Sequence, residues 1–239
     1  HEEAISEADA DFFFINTCAV TNEAEKKDLQ KAKSIARRFP DKPLYIMGCS
    51  SQIHKEKYMT IPTVKAVIGN SKKSKIECLL EAENKDQVDL DSRHFTYEDT
   101  PTEEGEKNVR GYAKVQDGCN NFCSYCVVPF TRGNSRSRNK EDILKEINNL
   151  VQNGYKEIVL TGIDMSSYGL DLNEKITFSD LIEEILQKTN NLYRLRISSL
   201  EESQIDEKFI DLLKNNQILA NHLHMPLQSG SASVIKNMN

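Results

Sequence analysis

The sequence has no run of roughly 18 consecutive apolar residues, the length that a membrane-spanning helix needs. It also shows no signal peptide, no internal repeat and no low-complexity tract. We therefore expect a cytoplasmic protein of one or two domains with no membrane partner. The first residue is not Met and the last residues have a helical pattern, so we expect the 239 residues to be a piece of a longer protein.

Without a secretion signal, the six cysteines indicate metal binding or redox chemistry in a reducing compartment rather than disulfides. The net charge of −6 argues against nucleic-acid binding by the whole surface. The bases are clustered, however. From Gly118 to Lys140 there is no acidic residue, and this stretch contains Arg132, Arg136 and Arg138.

Strand-like apolar runs alternate with amphipathic segments, a pattern typical of an α/β fold with parallel strands. After residue 108 the repeat length fits part of a (β/α) barrel, because too few units are present for a closed barrel. The predicted strands are Phe12–Asn16, Leu44–Met47, Val64–Ile68, Val109–Val115, Glu157–Thr161, Arg194–Ser198 and Asn221–Met225. The predicted helices include Glu23–Arg38, Lys140–Gln152, Phe178–Thr189, Asp206–Leu213 and Ser231–Asn237.

An acidic stretch divides the sequence. In residues 81–106 acidic side chains greatly outnumber Lys85 and Arg93, and few large apolar residues interrupt them. This composition is typical of an exposed connection. We therefore predict a first domain over residues 1–83, a linker over 84–107 and a second domain over 108–239.

The cysteines Cys119, Cys123 and Cys126 have the spacing C-x3-C-x2-C and follow a predicted strand. Three thiolates can hold a 4Fe–4S cube and leave the fourth iron open to a small molecule. An open iron at low potential is what the splitting of S-adenosylmethionine (SAM) requires. The alternative is a structural zinc site with His224 as a fourth ligand, which this spacing fits poorly.

The remaining cysteines have two interpretations each. Cys18 and Cys49 directly follow predicted strands, so both side chains should emerge at one edge of a parallel sheet, where open α/β sheets bind ligands. Taken alone, they also suit buried small apolar positions. Cys78 fits a helix core better than a substitute ligand. Tyr125 is either a platform for an adenine ring or a loop anchor.

Several motifs together resemble the radical-SAM methylthiotransferase family, and the resemblance covers nearly the whole chain. The cysteine loop is Asp117–Cys126, followed by Pro129, Arg132–Gly133 and Ser135–Arg138. The flanking motifs are Ile15–Cys18, Met47–Cys49, Leu160–Gly162, Ser198–Glu201 and His222–Gly230.

The resemblance implies a flavodoxin-like amino-terminal methylthiotransferase domain followed by a partial radical-SAM barrel. It implies two 4Fe–4S clusters: a SAM-binding cluster on Cys119, Cys123 and Cys126, and an auxiliary cluster on Cys18 and Cys49. The third cysteine of the auxiliary site would precede His1, so this cluster lacks one ligand in the chain. We assign no catalytic residue beyond these ligands.

The resemblance also suggests that Gly162, Glu201 and Gln228 contact SAM. The stretch Arg132–Lys140 has two interpretations: Arg132, Arg136 and Arg138 contact RNA phosphates, or an arginine forms an ion pair inside the barrel mouth. His222 and His224 share one face of a predicted strand and either contact a ligand or serve the barrel wall.

By the same resemblance, the expected activity is transfer of a methylthio group to threonylcarbamoyl-adenosine beside the tRNA anticodon, with a low-potential electron donor as second partner. Isopentenyl-adenosine in tRNA and an aspartate of a ribosomal protein are the alternative substrates. A radical-SAM enzyme without sulfur insertion would need only the triplet. A metal-stapled RNA-binding module is the non-enzymatic alternative. The sequence does not determine the oligomeric state.

Overall fold

The computed structural model describes residues 2–75, 80, 85–89, 95, 109–202 and 205–238. The chain divides into two compact units. The first unit comprises His1–Phe95 and Tyr125–Gly133, and the second comprises Thr96–Ser124 and Asn134–Asn239. The predicted α/β class with parallel sheets is confirmed in both. Cys78 lies outside the described residues.

The first unit is built on a four-stranded parallel sheet with the order β1-β2-β3-β4. Its strands are β1 Phe13–Thr17, β2 Leu44–Gly48, β3 Val64–Ile68 and β4 Asp86–Gln87. Its helices are α1 Asn22–Arg38, α2 Cys49–Ile53, α3 Lys55–Met59, a 3-10 helix Asn70–Lys75 and α4 Val128–Arg132.

The central strand β2 is buried along its whole length. Side chains alternate between the two faces of a strand. Leu44 and Ile46 accordingly join one apolar cluster, and Tyr45 and Met47 join another. A strand covered on both faces reads as a continuous apolar run, which is why the sequence pattern locates it well.

Helix α1 begins where the Thr21 hydroxyl accepts a hydrogen bond from the backbone N–H of Ala24. Ala32 and Ile35 are buried in the apolar cluster that also contains Phe13 of β1. This contact places the helix against the sheet and brings the chain back to β2.

The second unit contains a three-stranded parallel sheet with the order β5-β8-β9 and an antiparallel pair β6-β7. Its strands are β5 Arg110–Lys114, β6 Gln116–Asp117, β7 Arg136–Ser137, β8 Glu157–Thr161 and β9 Arg194–Ile197. Its helices are α5 Lys140–Gln152, a 3-10 helix Met165–Ser167, α6 Phe178–Lys188, α7 Glu207–Asn215 and α8 Ala232–Asn237.

The helices of the second unit pack on this sheet through one apolar cluster. Ile143, Ile158 and Leu181 are fully buried in it and come from α5, β8 and α6. None of the helices that the structure describes has the length and apolar character needed to cross a lipid bilayer.

The structure corrects one sequence prediction about secondary structure. Asn221–Met225 does not form a strand; within it, His224 makes an isolated bridge to Ser199. Asp86–Gln87, in the stretch predicted as a linker, is β4 and pairs with β3 at the side of the sheet. Within 84–107, residues 84, 90–94 and 96–107 lie outside the described residues.

Candidate functional site

Cys18 and Cys49 lie at the end of the first sheet where β1 and β2 finish. β1 and β2 are parallel neighbours whose final residues, Thr17 and Gly48, form a register pair. Each cysteine is the next residue in the chain, so the parallel pairing brings the two thiols to the same edge, as expected from the sequence. The Thr17 hydroxyl joins the two strand ends by donating to the Met47 carbonyl at 2.7 Å.

Gly48 permits the close approach of these strand ends. Its φ is +114°, and a Cβ on this residue would lie 2.2 Å from the Thr17 carbonyl oxygen. A side chain there would both strain the backbone and collide with β1. The glycine before Cys49 is therefore required by the geometry of the site.

Both thiols have N–H donors. The backbone N–H of Val20 donates to Cys18 Sγ at 3.5 Å, and Asn70 Nδ2 donates to Cys49 Sγ at 3.8 Å. The loop of Cys18 is further held by Asp28, whose carboxylate accepts from the Cys18 backbone N–H at 2.7 Å. Hydrogen bonds to thiolate sulfurs influence the potential of any cluster they hold.

A partly buried chain of hydrogen bonds holds helix α2, which begins at Cys49. The Tyr58 hydroxyl donates to Ser50 Oγ at 2.9 Å, and Ser50 donates to Glu25 at 3.0 Å. Burial opposes the ionisation of Glu25, but hydrogen bonds from Lys57 and Ser50 prevail and hold its pKa below the ordinary value. The Glu25 carboxylate of α1 thus holds helix α2 in place through Ser50.

In the second unit, Gln116 organises the start of the cysteine loop. This residue is fully buried. Its Nε2 donates to the Gly118 carbonyl at 2.7 Å, and its Oε1 accepts from the backbone N–H groups of Ile163 and Asp164 at 3.0 and 2.8 Å. One amide therefore joins the loop after β5 to the loop after β8.

Asp164 lies beside Cys119. The thiol is 3.7 Å from Asp164 Oδ2, and Asn121 Nδ2 is 3.5 Å from the same oxygen. The Ser167 hydroxyl also donates to it at 2.7 Å. A buried carboxylate therefore lies beside a cysteine of the triplet.

The predicted SAM contact Glu201 follows β9 in the same unit. Desolvation, followed by the nearby Asp164 carboxylate, raises the pKa of Glu201 above its ordinary value, although the residue is solvent-exposed. Two carboxyl groups thus influence each other after the ends of β8 and β9. Parallel (β/α) sheets place reactive residues at these carboxyl ends.

Gly162, another predicted contact, has a structural reason to be glycine. A Cβ there would lie 2.6 Å from Met165 Cγ and 3.3 Å from Gln116 Oε1. Gln228, His222 and His224 are exposed. Of the two histidines, His224 forms a hydrogen bond of 3.0 Å to Ser199 through its Nδ1.

The cysteine loop is divided between the units. Cys119 and Cys123 belong to the second, where the backbone N–H of Ser124 donates to the Met238 carbonyl at 2.9 Å. Tyr125 and Cys126 belong to the first. Tyr125 is 59% exposed. Cys126 immediately precedes the turn into α4.

The arginine stretch adopts the internal alternative at two of its three predicted RNA contacts. The Arg138 side chain is 5% exposed and pairs with Glu146 of α5. Arg136 is 12% exposed and lies 3.4 Å from Asp117. These ion pairs favour the internal interpretation for Arg136 and Arg138, and RNA contact by either residue stays a prediction. Arg132 in α4 is partly exposed and stays a prediction.

The five described cysteines suit a thiolate-bound cluster by their chemistry. All are partly exposed and none forms a disulfide. Within the described part of the chain, no three His, Cys, Asp or Glu side chains already converge on one point. Thiolate sulfur is the donor that iron–sulfur clusters take, and N–H groups already point at Cys18, Cys49 and Cys119.

Sequence reasoning missed three residues of these sites: Gln116, Asp164 and Asn70. Each follows the end of a strand in a parallel sheet, which is the one signal that was available. Amides and single carboxylates have no diagnostic spacing, so only the three-dimensional neighbourhood distinguishes them from surface residues.

Two family models match different parts of the chain. Residues 113–239 match the model of the radical SAM superfamily, and residues 1–69 match the model of the uncharacterized protein family UPF0004. The solved structure of the radical S-adenosylmethionine methyltransferase TsrM from Kitasatospora setae aligns with a TM-score of 0.56. The alignment has 16% identity and covers 84% of this chain and 45% of that chain, so it shows the fold alone.

Two curated relatives illustrate the sequence similarity. Threonylcarbamoyladenosine tRNA methylthiotransferase MtaB from Bacillus subtilis is 36% identical over 100% of this chain and 54% of its own length. tRNA-2-methylthio-N(6)-dimethylallyladenosine synthase from Carboxydothermus hydrogenoformans is 35% identical over 97% of this chain and 54% of its own length. The chain thus spans about half of each relative. With more than half of its residues matching the superfamily model, the chain belongs to the radical SAM superfamily, and it is similar to tRNA methylthiotransferases along its whole length.

Proposed function

We propose that the chain is the cluster-binding part of a tRNA methylthiotransferase. The observation that carries this proposal is the double placement of cysteines. A C-x3-C-x2-C triplet follows β5 in the part of the chain that matches the radical SAM superfamily, and a separate pair follows β1 and β2. A radical-SAM enzyme without sulfur insertion needs only the triplet.

In this proposal Cys119, Cys123 and Cys126 hold the 4Fe–4S cluster that binds SAM, and Cys18 and Cys49 contribute to an auxiliary cluster. Clusters of this kind would supply the low-potential electron that cleaves SAM and a cluster-associated sulfur for the substrate. The electron comes from a low-potential donor protein.

The described residues supply orientation around this chemistry. Gln116 holds the triplet loop against the loop after β8, so Cys119 and Asp164 stay together. Asp164 and Glu201 present carboxyl groups suited to the ammonium and hydroxyl groups of SAM. Tyr125 offers an exposed ring for stacking on adenine.

We propose threonylcarbamoyl-adenosine in tRNA as the substrate. Support comes from the 36% identity to MtaB across the entire chain. The second candidate is dimethylallyl-adenosine in tRNA, favoured by the similar identity of 35% to the synthase that is named for it.

The test uses the full-length protein in a bacterial strain that lacks its own tRNA methylthiotransferases, with tRNA nucleosides measured by mass spectrometry. We expect 2-methylthio-threonylcarbamoyladenosine to appear. A methylthio group on dimethylallyl-adenosine instead would move the assignment to the second substrate. Unmodified tRNA together with zinc-loaded, colourless protein would refute the enzyme assignment.

Cysteine variants separate the two clusters. Cys123→Ala should abolish both deoxyadenosine formation from SAM and tRNA thiolation. Cys18→Ala combined with Cys49→Ala should abolish thiolation but retain deoxyadenosine formation. Cys78→Ala is the matched cysteine control and should retain both activities. Thiolation by the Cys18/Cys49 variant would contradict the proposed role of the first unit.

A further inference from the structure

We propose that Asn70 is a positioning residue that ties Cys49 to helix α4 and raises the reduction potential of the cluster bound at Cys49. The inference rests on the proposed auxiliary cluster. It assigns a role to a residue that no cysteine motif contains, and it concerns residues of the first unit only.

Strand pairing places Asn70 beside Cys49. β2 and β3 are parallel neighbours, and Met47 of β2 pairs with Ile68 of β3. Cys49 and Asn70 each lie two residues beyond this pair. They therefore occupy equivalent places beyond the carboxyl ends of the strands, at the end of the sheet where Cys18 also lies.

The Asn70 amide makes two hydrogen bonds as a donor. Nδ2 lies 3.8 Å from Cys49 Sγ and 2.6 Å from the Thr131 carbonyl oxygen. Thr131 is in the last turn of α4, where helix carbonyls have no partner within the helix. One NH₂ group thus joins a thiol of the candidate cluster site to the helix that follows Cys126.

The orientation of this amide is determined by its surroundings. A rotation of the amide by 180° would place Oδ1 against the Thr131 carbonyl oxygen, with two acceptors facing each other. As it stands, Oδ1 is buried without a hydrogen-bond donor among the described residues, a state that costs free energy. The donor bonds of Nδ2 prevail over this cost, so the amide holds its N–H groups towards Cys49 and α4.

The backbone of Asn70 is held as firmly as its side chain. Its N–H donates to Gln52 Oε1 at 2.9 Å, and Gln52 belongs to α2, the helix that Cys49 opens. Gly69 allows this approach, because a Cβ there would lie 2.8 Å from the same oxygen. Asn70 itself is 7% exposed, so it is positioned by the fold and not by chance at the surface.

The hydrogen bond to sulfur has a predictable electrostatic effect. Reduction adds negative charge to a cluster and its thiolate ligands, so an N–H donor at Cys49 Sγ stabilises the reduced state more than the oxidised state. Loss of the donor should therefore lower the reduction potential. We expect the reduction equilibrium constant to fall about tenfold, which is ~59 mV for a one-electron couple.

The experiment isolates the auxiliary cluster by replacing Cys119, Cys123 and Cys126 with Ala in the full-length protein. Its midpoint potential is measured by redox titration followed by electron paramagnetic resonance, in this background and with Asn70→Leu added. Asn148→Leu is the matched control, because its amide donates to a main-chain carbonyl, that of Leu144, at 2.8 Å but to no sulfur. The potential should fall for Asn70→Leu only.

The outcomes separate the inference from the function on which it rests. A parent protein that binds no cluster would overturn the proposed function and this inference with it. A cluster whose potential is the same with and without the Asn70→Leu substitution would overturn only this inference. An equal shift in the Asn148 control would also overturn it, because the effect would then not depend on the sulfur.

A second measurement needs no cluster and covers the case in which Asn70→Leu fails to fold. Asn70→Asp has nearly the same shape but offers no N–H to the Thr131 carbonyl. In the cluster-free protein, hydrogen exchange of residues 128–133 should then be about fivefold faster, since α4 loses a stabilising hydrogen bond. Unchanged exchange in this segment would overturn the role of Asn70 in holding α4.

Discussion

The substitution Gln116→Leu tests whether one buried amide holds the cysteine loop. Leucine has a similar volume but neither donates nor accepts hydrogen bonds. The buried N–H of Asp164 and the buried carbonyl of Gly118 would each lose a partner. A buried polar group left unpaired costs about 1–3 kcal/mol, so two cost about 2–6 kcal/mol. This is a large share of the roughly 5–15 kcal/mol that stabilises a typical domain.

The assay is urea unfolding of the cluster-free protein, followed by deoxyadenosine formation after reconstitution. We expect a loss of about 2–6 kcal/mol in the free energy of unfolding and a marked loss of SAM cleavage. Gln116→Glu retains an acceptor for the Asp164 N–H but turns a second oxygen against the Gly118 carbonyl in a fully buried position, so it should lose at least as much stability. Gln152→Leu, at an exposed position in α5, is the control and should change stability by less than about 0.5 kcal/mol. A Gln116→Leu protein with unchanged stability and full SAM cleavage would refute the reasoning.

Two further predictions concern charged pairs of the second unit. Glu146→Ala leaves the Arg138 charge buried without its carboxylate and should lower the free energy of unfolding in urea by about 3–5 kcal/mol. Replacing both residues by apolar ones should restore most of this loss. Equal losses for the single and double variants would contradict this. The hydrogen bond from Lys208 is the main reason that the pKa of Asp180 is lowered to about 2. Because the folded pKa lies below the unfolded one, the pair stabilises the fold above about pH 4 and this stabilisation is lost as the pH falls towards 2. Lys208→Met should raise the pKa of Asp180 in a nuclear magnetic resonance titration. Its effect on stability should be small, because both side chains are well exposed. An unchanged pKa would show that the helix-capping bonds alone lower the pKa of Asp180.

The apolar pattern of the sequence located the main elements well. The predicted bounds of Val64–Ile68, Glu157–Thr161 and Lys140–Gln152 agree with β3, β8 and α5. Such elements bury a continuous run or a helical stripe, so their own residues identify them. Asn221–Met225 has an alternating pattern but lacks the paired neighbours that a strand needs, and the pairing of β4 overrides its acidic composition.

The expected chemistry of this protein follows from local features of its sequence. The spacing of the triplet and the positions of Cys18 and Cys49 after strands indicate thiolate-bound clusters, and neither feature depends on long-range contacts. Tertiary contacts, by contrast, select the polar residues that serve those thiols. Whether an arginine side chain is buried or exposed depends on a carboxylate partner from another element, such as Glu146 for Arg138. The roles of Gln116 and Asn70 depend on partners 48 and 61 residues away along the chain, a proximity that only folding creates.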